Sequence, residues 1–394
     1  MEGRISQAVE VSSRQRQRQF LRLSIDRDSG LKAQHAMCVR WLAHATQAEL
    51  TGSAIGSKEF TMIPKLGPRQ FHDRNIKIHA DTAASILLVF QALFPFLVFA
   101  SDTNGEPITL TIMGGTNVMF SLSYDYIDQV VLPSLEHFGI PKVERKLEYR
   151  GWSHGTRQIG SIKFKFTPLA PNQSLDASLW PKFTNPGSVQ QIDITMVVPR
   201  DLRDHLKTSL KFELDLVFPG VETCVLVDED SRHPARLYTL LVAHTANGFR
   251  FGRDWLYDKK VKGQSMDDLA TEIAQKVVDG LDTEVRKGGC VDEYLQDQIV
   301  IFQALSKGRS VIFDSSDEGD ANLGEIFDHT GEPFGNGSLH TRSAKWVVSQ
   351  LLPQVKWFDK GRVCEGVGWT CKSTLPLDAT LDDLTVKDPV ELPS

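Results

Sequence analysis

Three polar side chains in one C-terminal segment could bind a nucleotide. The segment VDEYLQDQIVIFQAL, residues 291–305, predicts a helix capped by Asp292. Its apolar stripe is formed by Leu295, Ile299 and Phe302. Tyr294, Asp297 and Gln298 fall at i, i+3 and i+4 and therefore share one face, where a stacking ring, an acid and an amide could hold a purine or a ribose. The same spacing also fits a solvated helix face with one partly buried tyrosine.

A histidine further along the chain could act as a nucleophile. The segment GNGSLHTRSAKWVVSQLL, residues 335–352, predicts a helix capped by Thr341 or Ser343, with His340 immediately ahead of its N-terminus. Free backbone N–H groups and the helix dipole favour a phosphate there, and a neutral imidazole can attack an α-phosphate. A capping or surface histidine is the simpler alternative. The buried side of this helix is expected to contain Ala344, Val347, Val348 and Leu351.

Composition limits the class of protein that these residues can serve. The chain has 394 residues, 41% of them hydrophobic, and its 44 Lys and Arg against 50 Asp and Glu give a net charge of −6. This profile excludes a disordered chain, collagen and a simple coiled coil. The net charge also argues against binding nucleic acid by overall electrostatic attraction. Much of the acidity lies in residues 315–337 and in the tail, so the remaining chain is compatible with a local basic pocket. The sequence contains no HExxH or kinase signature.

Cysteine usage and apolar runs indicate the compartment. The five cysteines include no CxxC pair, so we expect neither a disulfide framework nor structural zinc. The first residues lack the apolar core of a signal peptide. The longest apolar run, residues 86–100, is interrupted by Gln91 and Pro95 and is too short to span a bilayer. We therefore expect a protein of the nucleus, or also of the cytoplasm, with no membrane partner.

Helical and strand patterns alternate along most of the chain, which indicates an α/β or α+β fold. Helices are predicted at 30–48, 81–100 and 126–138, and strands at 108–112 and 161–168. After a Pro- and Asn-rich loop, a separate unit is predicted with strands at 192–198, 223–227 and 237–244 and a helix at 200–214. The predicted domains are 1–189, an insert at 190–281, a C-terminal part at 282–372 and a disordered acidic tail at 373–394.

Several motifs resemble one known family. VDEYLQDQ at 291–298, followed by LHTRSA at 339–344, closely resembles the RNA 3′-terminal phosphate cyclases, in particular their eukaryotic members. Further matching segments follow the family order, namely GLKAQH at 30–35, GSAIGSKEFT at 52–61, ADT at 80–82, GGTN at 114–117, DY at 125–126 and RGW at 150–152. The resemblance runs from about residue 20 to about residue 355.

This resemblance implies both a fold and a reaction. The family fold consists of repeated units of a four-stranded sheet plus two helices, with a smaller α/β insert domain. The implied reaction uses ATP and a divalent metal, Mg²⁺ or Mn²⁺, to convert an RNA 3′-terminal phosphate into a 2′,3′-cyclic phosphate through a histidine–AMP intermediate. Its substrates would be RNA 3′ ends rather than DNA, because the 2′-OH is required.

The resemblance also suggests roles for individual residues. His340 aligns with the adenylated nucleophile. The positions that resemble nucleotide-contacting residues are Gln91, Tyr294, Asp297 and Gln298, together with Leu122, where the family has a proline. Candidates for binding the RNA phosphate are Gln34 and His35, in a segment similar to the family's GLRPQH, and the basic residues Arg22 and Arg27. His35 could equally be a packed helix residue.

The glycine-rich segments depart from the family pattern. The family opens with EGGGQILR, whereas here only QFLR at 19–22 matches its end and RQRQR stands at 14–18. A second glycine cluster corresponds to RGWSHGTRQIGSI at 150–162. The alternative is therefore a catalytically impaired cyclase-like protein that acts in RNA binding or ribosome biogenesis. Such relatives lack the nucleophilic histidine, so His340 favours the enzyme.

Overall fold

The computed structural model describes most of the chain between residues 30 and 371. The described residues are 30–80, 84–155, 158–257, 259, 263–313, 334–335 and 337–371, with only the backbone of 9–10 and 21–24. The predicted disordered tail and nearly all of the acidic segment 315–337 lie outside them. The chain forms two compact units, Met1–His72 with Cys371–Ser394, and Asp73–Thr370.

The first unit combines one antiparallel sheet with one helix. Its strand order is β1-β2-β4-β3, with β1 at Val9–Glu10, β2 at Leu21–Ser24, β3 at Glu49–Thr51 and β4 at Glu59–Ile63. Helix α1, Ala33–Ala45, confirms the helix predicted at 30–48 over a shorter range. Leu31, Ala36 and Phe60 form the core between them.

The second unit begins with a four-stranded sheet of order β5-β6-β8-β7, in which β5 and β6 are parallel. Its strands are β5 at Asn75–His79, β6 at Ile108–Gly114, β7 at Glu144–Tyr149 and β8 at Gly160–Phe166. Helix α2, Ile86–Leu97, contacts β6 and is the buried helix predicted at 81–100. It begins at Ile86 because the Ser85 side chain accepts a hydrogen bond from the Leu88 N–H.

A continuous helix follows strand β6 in the chain. It consists of α3 (Tyr124–Tyr126), a π-helical turn (Ile127–Val131) and α4 (Leu132–Glu136). The sequence predicted an amphipathic helix at 126–138, and the helix exists, but most of its side chains are buried. The π-helical turn contacts both the insert and a C-terminal helix, which leaves little of its surface for solvent.

The insert forms its own sheet, of order β10-β9-β11-β12, with β9 and β10 parallel. Its elements are β9 at Val189–Val198, α5 at Arg203–Val217, β10 at Glu222–Asp230, β11 at Tyr238–Thr245, β12 at Arg250–Leu256 and α6 at Met266–Arg286. The two helices pack on each other through buried leucines of α5, and α6 contacts β11 and β12. The predicted strands and helix of this region are confirmed, whereas the domain limits at 189/190 and 281/282 stay predictions.

The C-terminal part pairs two helices with a small sheet. Helix α7 (Glu293–Leu305) packs on α8 (Leu339–Leu351), and the sheet has the order β13-β15-β14. Its strands are β13 at Arg309–Val311, β14 at Lys356–Phe358 and β15 at Val363–Glu365. The mixed α/β fold with several sheets confirms the predicted fold class, although this sheet has three strands in the described residues rather than four.

All five cysteines are free, and Cys38, Cys290 and Cys364 are buried. Within the described ranges, no helix combines the length and apolarity needed to cross a bilayer.

Candidate functional site

The structure joins three of the sequence motifs through one buried arginine. Arg150, from RGW, forms two hydrogen bonds with Asp125 of the DY motif, at 2.7 and 3.0 Å. Its Nη1 also donates to Asn117 of GGTN at 3.3 Å, and its Nε to Glu229 of the insert at 2.8 Å. Burial alone would lower the pKa of Arg150, but the two carboxylates raise it overall. The guanidinium therefore remains charged and ties the motifs together.

Close backbone packing explains why two of these motifs contain glycine. The N–H groups of Thr116 and Asn117 both donate to the Gly151 carbonyl at 2.9 Å. A Cβ on Gly151 would lie 2.2 Å from the Gly114 carbonyl oxygen and 2.4 Å from the Gly160 nitrogen. Backbone atoms cannot move aside as a flexible side chain can, so GGTN and RGW can cross here only without side chains.

Asp292 connects the DY motif to VDEYLQDQ. It caps α7 as predicted, because its Oδ1 accepts from the N–H groups of Tyr294 and Leu295. Its carboxylate also accepts the Tyr126 hydroxyl at 2.5 Å and the Gly252 N–H of the insert at 2.7 Å. Burial raises the pKa of Asp292 to about 6, although these hydrogen bonds act in the opposite direction. Four donors around one carboxyl indicate an ionised group at neutral pH.

Tyr294 presents its ring at the surface of α7. Its side chain is 37% exposed. The Arg253 guanidinium lies over one face at 4.5 Å from the ring centroid, and the Tyr126 ring meets it edge-on at 6.0 Å. Burial raises the pKa of the Tyr294 phenol, which the Arg253 charge partly offsets. A ring that is supported on one face and partly open to solvent can stack on a flat ligand.

Asp297, Gln298 and His340 come together across the two C-terminal helices. Gln298 Nε2 donates to Asp297 Oδ1 at 2.5 Å. Burial raises the pKa of the Asp297 carboxyl, whereas Gln298 and the nearby His340 act to lower it. The Thr341 hydroxyl donates to Gln296 Oε1 at 3.4 Å and links the same two helices. The packed helices α7 and α8 thus carry an exposed imidazole and a carboxyl group on which it acts electrostatically.

The start of α8 corrects one prediction. Ser338, rather than Thr341 or Ser343, caps the helix, because its hydroxyl accepts the Thr341 N–H at 3.2 Å. The Thr341 side chain is buried against α7 and cannot serve as the cap. His340 therefore lies in the first turn of α8 instead of ahead of it, and its side chain is exposed.

The buried side of α8 also differs from the expectation. Val348 is buried as predicted, but Ala344, Val347 and Leu351 are only half-buried. Lys345 is buried instead, with its ammonium 5.9 Å from the centroid of Phe334 and 5.6 Å from that of Trp357. Two aromatic faces can accommodate a cation inside the core.

Gln91 and Leu122 lie on other elements of the second unit. Gln91 is half-buried on α2, and its Nε2 has no hydrogen-bond partner among the described residues. Leu122 is half-buried in the loop before Ser123. No hydrogen bond or ring contact joins either residue to Tyr294 or His340 in the described part of the chain. The orphaned amide of Gln91 is a donor that a ligand could satisfy.

The four candidates for binding the RNA end fall in the first unit. Gln34 is half-buried and His35 is exposed, both in the first turn of α1. Arg22 belongs to β2, of which only the backbone is described, and Arg27 lies outside the described residues. Their role stays a prediction from the resemblance.

Sequence reasoning missed the contribution of the insert. Arg253 covers Tyr294 from β12, and Asp254 next to it accepts the Tyr238 hydroxyl at 3.0 Å. Burial raises the pKa of Asp254 to about 6, and the neighbouring Asp292 adds to this shift. The only local signal at Arg253 is the alternation of polar and apolar residues along strand β12. Such alternation does not identify a contact partner about 40 positions away in the sequence.

Known proteins are similar to this chain over most of its length. A sequence model of the family "RNA 3′-terminal phosphate cyclase" matches residues 7–355. The chain is 28% identical over 289 residues to the RNA 3′-terminal phosphate cyclase of Drosophila melanogaster, covering 72% of this chain and 74% of that one. It is 30% identical over 280 residues to the cyclase of Pyrococcus furiosus, covering 71% and 75%. It is also 29% identical over 351 residues to the probable cyclase of Dictyostelium discoideum, covering 86% and 74%. Since the match spans most of the chain and includes the motifs joined above, the chain belongs to the RNA 3′-terminal phosphate cyclase family.

Proposed function

We propose that this chain uses ATP to convert the 3′-terminal phosphate of an RNA into a 2′,3′-cyclic phosphate, with His340 as the nucleophile that carries AMP. The observation that supports this most directly is the exposed His340 on helix α8, which packs on the helix that carries Asp297 and acts electrostatically on that carboxyl. Its position in the first turn of α8 adds free backbone N–H groups and the positive end of a 13-residue helix.

The proposed reaction has three steps. His340 attacks the α-phosphorus of ATP, so that a P–N bond forms and pyrophosphate leaves. An oxygen of the RNA 3′-phosphate then displaces the imidazole and forms a phosphoanhydride with AMP. The neighbouring 2′-OH attacks the 3′-phosphorus, loses its proton and releases AMP, an intramolecular step favoured by proximity. Asp297 would stabilise positive charge on the imidazole.

Two further side chains of the second unit are suited to a purine nucleotide. The open side of the Tyr294 ring can stack on a base, and the buried unpaired Nε2 of Gln91 can donate to an acceptor of the nucleotide. Bound ATP supplies the activated α-phosphate. We assign Gln298 to holding Asp297 in place through its 2.5 Å hydrogen bond, and Leu122 to an apolar contact with the base.

The described residues do not supply a ready metal site. No group of three or more His, Cys, Asp and Glu side chains among them is placed to hold an ion. We therefore propose that Mg²⁺ or Mn²⁺ is bound mainly through the phosphates of the nucleotide, as is usual for Mg²⁺ in phosphoryl-transfer sites.

We further propose that Gln34, His35, Arg22 and Arg27 bind the RNA end, in a protein of the nucleus or also of the cytoplasm. The 2′-OH is the attacking group in the last step, so a DNA 3′-phosphate cannot be cyclised. Cationic and amide side chains are suitable ligands for a terminal phosphate.

An adduct experiment tests the first step. The full-length protein is incubated with ATP labelled at the α-phosphate and a divalent metal, and an acid-labile AMP adduct is measured. We expect the adduct in the wild type, its loss in His340→Ala, and its retention in His44→Ala, a matched exposed histidine on α1. An adduct that persists in His340→Ala would contradict the assignment.

An RNA experiment tests the later steps. Substrates ending in a 3′-phosphate on either a ribose or a 2′-deoxyribose are compared, and the cyclic end is detected by its resistance to phosphatase. We expect cyclisation only with the ribose end and AMP transfer with both. RNA binding without any adduct would favour the alternative, a catalytically impaired relative that acts as an RNA-binding or ribosome-biogenesis protein.

A further inference from the structure

Tyr294 is fixed from three directions before any ligand binds. Its backbone N–H donates to Asp292, its ring meets Tyr126 edge-on, and one ring face is covered by Arg253. Of these three, only Arg253 comes from the insert, from strand β12. The other face of the ring is the one on which a base can stack.

Arg253 is itself held in place. Its Nη2 donates to Glu284 at 2.7 Å and to Glu293 at 3.2 Å. Glu284 is buried on α6, and Gly280 on the same helix leaves room for the arginine, since a Cβ there would lie 3.3 Å from the Arg253 Cγ. A planar guanidinium fixed by two carboxylates cannot swing away from the ring at little cost.

We propose that Arg253 is a positioning residue for the nucleotide, which it serves by supporting the buried face of Tyr294 so that the opposite face can stack on the base. This inference rests on the proposed function, because it assigns the base of ATP to Tyr294. It makes the insert part of the nucleotide site, since Arg253, Glu284 and Gly280 all belong to β12 and α6.

The charge of Arg253 affects the pKa of the Tyr294 phenol, and a residue with a merely structural role would not change that pKa. The guanidinium lowers the pKa of the Tyr294 phenol against the effect of burial. Loss of the charge is therefore expected to raise the phenol pKa. Stacking reads the face of a base rather than its edge, so ATP and GTP should lose affinity to a similar extent.

Two substitutions at one position test the proposal in the full-length protein. Arg253→Met removes charge and stacking, and Glu284 keeps its ion pair with Lys287 at 2.8 Å, which limits the damage to the fold. Arg253→Lys keeps a cation beside Glu284 but loses the planar group. The matched control is Arg203→Met, an insert arginine that pairs with Asp228 and, within the described part of the chain, forms no ion pair or ring contact with Arg253 or Tyr294.

The measurements are ATP affinity by calorimetry and the Tyr294 phenol pKa by ultraviolet titration against Tyr294→Phe. We expect Arg253→Met to weaken ATP binding by about 5- to 20-fold, to weaken GTP binding similarly, and to raise the phenol pKa. Arg253→Lys should give a smaller loss, and Arg203→Met none. Circular dichroism and urea unfolding verify that each variant is folded. If Arg253→Met does not fold, the ATP affinity and phenol pKa of Arg253→Lys alone test the proposal.

The outcomes separate this inference from the proposed reaction. Unchanged ATP affinity in both Arg253 variants, or a wild type that binds no ATP, overturns the role of Arg253. A wild type that binds ATP through Arg253 but forms no adduct contradicts the proposed reaction and leaves the positioning role intact.

Discussion

The Tyr126 hydroxyl donates to the Asp292 carboxylate at 2.5 Å across 166 positions of sequence. The same carboxylate caps α7 and accepts the Gly252 N–H of the insert. One buried acid thus fixes three elements, namely the π-containing helix, the insert strand β12 and the helix that carries Tyr294. The elements that it joins are not neighbours in the chain. Removing this carboxylate should therefore lower the stability of the fold by more than the loss of a single helix cap.

We expect Asp292→Asn to lower the free energy of unfolding by about 1–3 kcal/mol at neutral pH, because the new NH₂ group faces the Gly252 N–H and cannot accept its hydrogen bond. Urea unfolding measures the change. Asp201→Asn, at an exposed position near the start of α5, is the control and should change stability by less than about 0.5 kcal/mol. Equal effects at the two positions would show that the Asp292 hydrogen bonds contribute little.

Asp254 predicts a dependence of stability on pH. Burial raises its pKa from 3.8 to about 6, so between about pH 4 and pH 6 the folded state holds a proton that the unfolded state has released. Stability from this group is therefore complete below pH 4 and falls as the pH rises through 6. We expect Asp254→Asn to abolish this loss of stability, which amounts to about 3 kcal/mol across the window.

Urea unfolding of wild type and Asp254→Asn across the same pH range measures the difference. Asp228→Asn provides a control of opposite sign, since the Arg203 hydrogen bond lowers the pKa of Asp228 and its contribution to stability is lost as the pH falls. A wild-type minus Asp254→Asn difference that does not change with pH would contradict the shift.

The glycine crossing predicts a severe effect of one methyl group. Gly151→Ala would place its Cβ 2.2 Å from the Gly114 carbonyl oxygen, so the two motifs must separate. We expect a loss of at least about 3 kcal/mol, seen as reduced soluble yield and an earlier urea midpoint. Gly67→Ala is the control, because its nearest atom would be 3.9 Å away and its φ of −85° suits alanine. A stable Gly151→Ala protein would mean that this crossing can relax.

The Arg150–Asp125 ion pair predicts strong coupling between two substitutions. Arg150→Met leaves the buried Asp125 carboxylate without its main partner and should cost about 3–5 kcal/mol. Adding Asp125→Asn removes the buried charge and should recover part of that loss. A double-mutant cycle by urea unfolding measures the coupling, and additive effects would indicate that the two side chains act independently.

Local patterns were sufficient to predict much of this fold. The cap at Asp292 and the stripe of Leu295, Ile299 and Phe302 follow from short-range spacing, and the structure confirms both. Strands β9, β10 and β11 and helix α5 of the insert were also predicted, because strand alternation and helical periodicity are local properties, whereas β12 and α6 were not.

What could not be predicted depends on contacts between distant positions. The start of α8 was misassigned because several hydroxyls compete for one cap, and only the contact between Thr341 and Gln296 decides between them. Lys345 was not expected in the core, since lysines are rarely buried, and the rings that surround it are defined only after folding. Arg253 carries no local sign of its contact with Tyr294.

The contact between Gly252 and Tyr126 bears on how this architecture could be re-engineered. A Cβ at position 252 would lie 2.5 Å from Cε2 of the tyrosine ring, and the N–H of the same residue is used by Asp292. A different domain inserted in place of this one would have to provide a glycine at the position of Gly252, with its N–H directed at Asp292. The insert therefore cannot be exchanged on its own. Designs that replace it must also redesign the surface around Tyr126 and Asp292.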